Sequence, residues 1–368
     1  MPGDGMACAA WLTAVRSGSA KGRRSRHARR GMNARLLVLT GLALALAGCA
    51  TPGGGGRTAQ SCLLSVEETA GTLAIVDSQG EVVKRVTIGE RPHEVAVSPD
   101  RRLAYVSQFG IADYDSRIGT PGDRVVEIDL ITGARSGDFV LPADVRGPHG
   151  VKLRPGGSDE LFVNAEVGGD TMLVFDRVSH HLLRRFPLPA ATHNFIFSQD
   201  GASIFSFAGA AGASRIDARD GRVLARQYPG SPIRGLFVTS GGMVLASARG
   251  EILELRPADL AIIRRLPAPR PGQFVYLEQW PDGMIAAPSL ADGGVAIFPP
   301  DGGPARFAAT GKTPIIVRRG PDGLIYVANV EDDHISVIDA QGETVRTITG
   351  LTAPNGLAFG FCPRKGAS

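Results

Sequence analysis

From residue 62 onward the chain is written in short β-rich runs broken by turn residues, and one phrase recurs along it. The phrase is a turn with Pro, a β-rich run, a Ser-Pro-Asp-Gly type turn, a second run, and a third run that often closes on Asp. RPHEVAVSPDRRLAYVS at 91–107 is its clearest copy. Others open at GPHGVKLRPGG, THNFIFSQDG, PIRGLFVTSGG, GQFVYLEQWPDG, TPIIVRRGPDG and APNGLAF. Aligned, they put His93, His149, His193, Arg234, Gln273, Ile315 and Asn355 in one equivalent position, at intervals of 56, 44, 41, 39, 42 and 40 residues. A period near 40 built from runs this short marks a four-stranded blade repeated around an axis. Seven copies therefore predict an all-β, seven-bladed propeller of antiparallel blades, with an inserted loop at 110–124 accounting for the long first interval.

A circular array must close, and the two ends of the repeat region show how. The last copy, PNGLAFGF, supplies only an inner strand, whereas the region opens with CLLSVEE, GTLAIVD and VVKRVTI, the second, third and fourth strands of a blade. The two ends are expected to complete one blade, counted here as the first. In that blade the Ser-Pro-Asp type turn is missing, and Cys362 and Cys62 fall where it would be. In an oxidising compartment such a pair is expected to form a disulfide, the alternative being two free thiols at frayed ends. The third runs AIVD, VEID, LVFD, SRID and SVID end at Asp77, Asp129, Asp176, Asp217 and Asp339, which read as turn-makers; blades five and six depart with LELRP and AIFPP.

Composition agrees with many strands and tight turns: 48 Gly and 25 Pro in 368 residues, and 43% hydrophobic residues for a sizeable core. After residue 50 no apolar run is long enough for a membrane-spanning helix. The pI of about 9.0 misleads. Residues 1–49 carry eight Lys and Arg against one Asp, a local +7 beside +4 for the whole chain, so the remainder is near −3. A mildly acidic folded part excludes nucleic acid as the expected partner.

From Met32 the sequence reads MNARLLVLTGLALALAGCA, a basic start, an apolar run and Leu46-Ala47-Gly48-Cys49. This resembles a lipoprotein signal with its lipobox. The resemblance implies cleavage before Cys49, a diacylglycerol on its sulfur, and anchoring to a membrane without spanning it. The expected organisation is an export signal at 1–48, with Met32 an alternative start, a lipidated Cys49 and Gly-rich tether at 49–61, the propeller at 62–362 and a tail at 363–368. Ala50 after the lipidated cysteine favours a periplasm-facing place on the outer membrane over inner-membrane retention.

RPHEVAVSPDRRLAYVS and TPIIVRRGPDGLIYVANVEDDHISVID resemble the repeats of YVTN-type propellers, over roughly residues 62–361. That superfamily contains stand-alone periplasmic propellers, lactonase-like enzymes, quinoprotein amine dehydrogenase subunits and the propeller that holds d1 haem. The resemblance thus implies a fold and leaves the activity open.

In propellers of this strand order, the turn entering each inner strand and the loop between second and third strands share one face, around the channel mouth. Three consecutive blades place His93, His149 and His193 there, half of the six histidines that follow Cys49, with Arg234 next and Gln273 and Asn355 completing the candidate ligand-binding set. Converging imidazoles can bind Zn²⁺, Cu²⁺ or a cofactor iron, so His93, His149 and His193 are the candidate metal ligands. Arg234 could hold an anionic group. The competing reading is that Pro-His belongs to the blade grammar, with each ring bonded to its neighbour. The inserted loop, with Asp113, Tyr114, Asp115 and Arg117, is expected to overhang this mouth; Glu166 is a candidate carboxylate partner. Asp332, Asp333 and His334 share the face, while His180 and His181 read as exposed.

GxSxG, HExxH, CxxC, CxxCH and phosphate-loop motifs are all absent. The expected function is therefore a periplasm-facing propeller binding a small molecule, a metal or an envelope protein at the channel mouth. The alternative is a metal-dependent lactonase- or lyase-like enzyme, or the carrier of a redox cofactor. Calcium-dependent lactonases use channel carboxylates and Asn, whereas this ring is rich in His and Arg.

Overall fold

The computed structural model describes residues 60–112, 115–157 and 159–364, with the side chains of 115 and 116 left aside. Cys49, the export signal, most of the tether, Asp113, Tyr114 and the tail beyond 364 lie outside the described residues. Seven four-stranded antiparallel sheets follow one another, each running from an inner to an outer strand. Among the described residues the one helical element is a 3₁₀ turn, Val330–Asp332, and no helix is long and apolar enough to cross a membrane.

Blade 1 is the composite one. Its inner strand Pro354–Phe361 pairs with Ser61–Glu67, which continues to Thr72–Val76 and Val82–Thr87. Cys62 stands opposite Gly360 in that register, and Cys62 and Cys362 form the expected disulfide, with Cα atoms 5.0 Å apart. Blades 2 to 7 start at Pro92, Arg146, Asn194, Gly235, Glu278 and Pro314. The long first interval is a β-ribbon, Ile111–Ala112 paired with Asp115–Gly119, set between the second and third strands of blade 2.

Burial follows from this stacking. Middle strands such as Thr72–Val76 and Glu160–Val167 are almost continuously buried, because a blade has a neighbour on each face; outer strands such as Val82–Thr87 alternate. Apolar side chains accordingly gather in seven clusters, one in each gap between neighbouring blades, the last joining blade 7 to blade 1. The predicted turn-makers act as such. Asp77, Asp129, Asp176, Asp217 and Asp339 each accept a hydrogen bond from the backbone N–H two residues on, at 2.7–3.1 Å. Blade 6 has the shortest inner strand, Glu278–Gln279. Pro288 in the facing strand has no N–H to give, so pairing above it shrinks to the single Phe274–Ser289 bridge.

Candidate functional site

The recurring Pro-X phrase turns out to be a β-bulge. Pairing between the inner and second strands slips between Pro92 and Val95, between Pro148 and Val151, between Pro314 and Val317, and in blade 1 between Pro354 and Leu357. A bulge re-aims the side chain it carries. His93, His149, Ile315 and Asn355 all stand inside these slips, so a shared backbone device sets the ring of positions seen in the sequence. Gly150 follows His149 because Asn194 and Asn164 cross there: a Cβ would stand 2.4 Å and 2.5 Å from their Oδ1 atoms.

His93, His149 and His193 stack as a ladder across three blades. Ring centroids are 4.1 Å apart for His93 and His149 and 4.2 Å for His149 and His193. His93 and His149 are buried, and Phe109 meets both in T-shaped contacts, with centroids 5.6 Å and 4.9 Å away. Neighbouring blades pin the backbone of the ladder. The Ser107 hydroxyl donates to the His149 carbonyl at 2.7 Å, and the Asn164 amide donates to the His193 carbonyl at 3.1 Å.

Carboxylates close both ends. Glu166, at the end of the second strand of blade 3, has an oxygen 3.2 Å from His193 Nδ1. One ligand atom each from His149, His193 and Glu166 lie within 4.8 Å of one another. At the other end Asn355 Nδ2 is 3.5 Å from His93 Nε2 and 3.2 Å from Glu68, which also pairs with Arg91 at 3.0 Å. Glu68 and Arg91 were not anticipated from the sequence.

Beneath the ladder lies a third carboxylate that sequence reasoning missed. Glu94 is 5% exposed, and its oxygens take the Asn194 amide at 2.7 Å and the Lys152 ammonium at 3.2 Å. Burial by itself would raise this carboxyl; Lys152, with His149 and His93, outweighs it and holds the group down at about 2. Asn194 also donates to the Tyr276 hydroxyl at 2.9 Å. Blades 2, 4 and 6 are thereby joined across the channel, a link whose sequence signal was the polar or charged residue directly after His93 and His193.

The other candidates take different places. Arg234 is half-buried at the start of blade 5 and donates its N–H to Ser247. Gln273 spends its amide on the Phe274 carbonyl at 2.8 Å and bridges to Arg249. Asp332 and Asp333 accept backbone N–H groups of Lys312 and Ala353, and His334 lies 3.1 Å from the Thr310 carbonyl, so these residues build loops between blades. His181 is exposed as expected. His180 is not: it stacks on Phe139 with centroids 4.3 Å apart and pairs with Glu127 at 3.3 Å.

The sequence matches no family model and no curated protein. Solved structures do match. Hydrazine synthase of Kuenenia stuttgartiensis aligns at TM-score 0.61 and 19% identity, over 75% of this chain and 91% of that one. A functionally unknown protein of Desulfotomaculum acetoxidans DSM 771 aligns at 0.64 and 13%, over 82% and 99%. A protein of unknown function from Bacteroides caccae aligns at 0.54 and 13%, again over 82% and 99%. At such identities the likeness carries the fold alone, and the fold is a seven-bladed β-propeller.

Proposed function

We propose that this propeller is a metal-binding protein of the bacterial cell envelope, holding a transition-metal ion at the channel mouth through His149, His193 and Glu166. The observation that carries the reading is the convergence of two imidazole nitrogens and one carboxylate oxygen to within 4.8 Å. Two His and one carboxylate are a donor set suited to Zn²⁺ or Fe²⁺, with coordination positions left for water or a small ligand. The carbonyl hydrogen bonds from Ser107 and Asn164 set where the two rings stand. His93 supports the site by stacking on His149.

The lipobox-like Cys49 and the cysteines matched at 62 and 362 support an anchored, periplasm-facing placement, with the outer membrane favoured by Ala50. Within this reading the protein binds and presents its metal to a small molecule or envelope partner. A lactonase- or lyase-like reaction would use the same ion to polarise a carbonyl. YVTN-type kinship is part of the proposal and rests on the quoted repeats.

Equilibrium dialysis against Zn²⁺ and Fe²⁺, read by elemental analysis, tests the site. About one ion per chain is expected for the wild type, falling at least about tenfold in affinity for Glu166→Gln and for His149→Ala/His193→Ala. Equal uptake by wild type and both variants would overturn the assignment.

A further inference from the structure

The inner strands begin at the imidazole mouth and end at the Ser-Pro-Asp type turns, and a cavity of about 590 Å³ occupies the half of the channel toward those turns. Its walls come from all seven blades, and they include Val97, Leu153, Phe197, Val238, Val317 and Phe359. Val97, Leu153, Val238 and Phe359 are half-buried, leaving apolar surface on the lumen. The Glu94, Asn194 and Tyr276 link lies at its inner end. The volume falls in the range of about 300–1,000 Å³ typical of small-molecule sites.

Charge in this lumen is one-sided. Lys152 from blade 3 and Arg318 from blade 7, on opposite sides of the ring, both line it, as does Arg319. The acid among the lining residues is Glu94, whose two oxygens are already engaged by Lys152 and Asn194. Arg318 gives its Nε–H to the Leu357 carbonyl at 3.1 Å, which fixes the guanidinium. Glu278 forms a long ion pair with its Nη1 at 3.8 Å, without a hydrogen bond, and the Arg318 side chain is 45% exposed, leaving part of the guanidinium open to the lumen. A preorganised guanidinium beside apolar walls is a fitting receptor for a carboxylate.

We propose that this half of the channel is a second ligand site, independent of the metal at the mouth, for an apolar organic carboxylate. The hydrocarbon or aryl body covers the exposed apolar lining, which is worth about 25 cal/mol for each Å² removed from water. The carboxylate meets Arg318, while Lys152 stays paired with Glu94. A neutral molecule of the same body would leave that charge unanswered, and an organic cation would be repelled by it.

Decanoate is the probe, titrated calorimetrically into the purified full chain after metal is stripped with EDTA, so that the outcome does not depend on the ion at the mouth. Decanoate is expected to bind, decanol about tenfold more weakly, and decyltrimethylammonium not at all. Arg318→Gln should weaken decanoate about tenfold, and Val238→Trp, which fills the lumen, should abolish binding. Circular dichroism and melting curves establish that both variants are folded; if the Trp variant is not, Arg318→Gln decides. No binding of decanoate to the wild type, equal binding by Arg318→Gln, or decanol binding as tightly as decanoate would each overturn the proposal.

Discussion

Replacing Glu94 by Gln is the sharpest perturbation of the channel. The substitution keeps the shape of the side chain and one carbonyl oxygen, which retains the Asn194 amide now bonded at 2.7 Å. It then turns an NH₂ toward the Lys152 ammonium, 3.2 Å from the present Oε2, so that two donors face each other. Breaking a buried ion pair on one side costs about 3–5 kcal/mol, because the partner charge stays behind uncompensated. Lys152 is 24% exposed and can turn into the lumen, which brings the expected loss to about 2–3 kcal/mol. Lys152→Met is the harsher change, since it strands a carboxylate with 7% side-chain exposure. It should cost about 3–5 kcal/mol. In the double variant neither charge remains, and the losses should fall short of their sum by about 2 kcal/mol. Urea unfolding of the four proteins at neutral pH, followed by tryptophan fluorescence and far-UV circular dichroism, measures this cycle. Additive losses, within about 0.5 kcal/mol, would refute the view that Glu94 is held in place by Lys152.

Two further predictions concern the frame. Replacing Cys62 and Cys362 by Ser opens a loop spanning 300 residues, and should lower stability by up to about 6 kcal/mol, read as the shift in urea midpoint against the oxidised wild type; coincident curves would show that strand pairing alone holds the ring. Thr313, just before the Pro314 bulge, has a φ of 49°, a conformation costly for a β-branched residue. Thr313→Gly should therefore stabilise by about 0.5–1 kcal/mol, an increase in melting temperature that a loss would contradict.

Blade number, blade boundaries and the composite closure were legible in the sequence because each depends on a local signal that repeats. Pro at the inner-strand start, a Ser-Pro-Asp type turn and an Asp at the third-strand end all act over two to five residues. The histidine ladder was legible as a shared position, since the same bulge carries His93 and His149 and the third ring stacks on them. What escaped was chemistry that depends on neighbours in another blade. Glu94 and Lys152 belong to different blades and are 58 residues apart, and no pattern within one repeat pairs them. His180 was misread for the same reason: its turn is polar, yet it packs on Phe139 of the preceding blade. At Gln273 the register position was legible but the interrupted inner strand of blade 6 beside Pro288 was not.

The composite blade makes the linear order of the chain a matter of where a circle happens to be cut. Cys62 and Cys362 place their Cα atoms 5.0 Å apart, close enough for a short connecting turn of the kind that already joins inner and second strands elsewhere. A permuted gene could therefore seal that seam and open at Pro99 or Pro321 instead, keeping every blade-to-blade contact while moving the ends to another sector. Any tether fused to the ends would travel with them, so the sector from which the propeller is held becomes adjustable without touching the histidines or the channel.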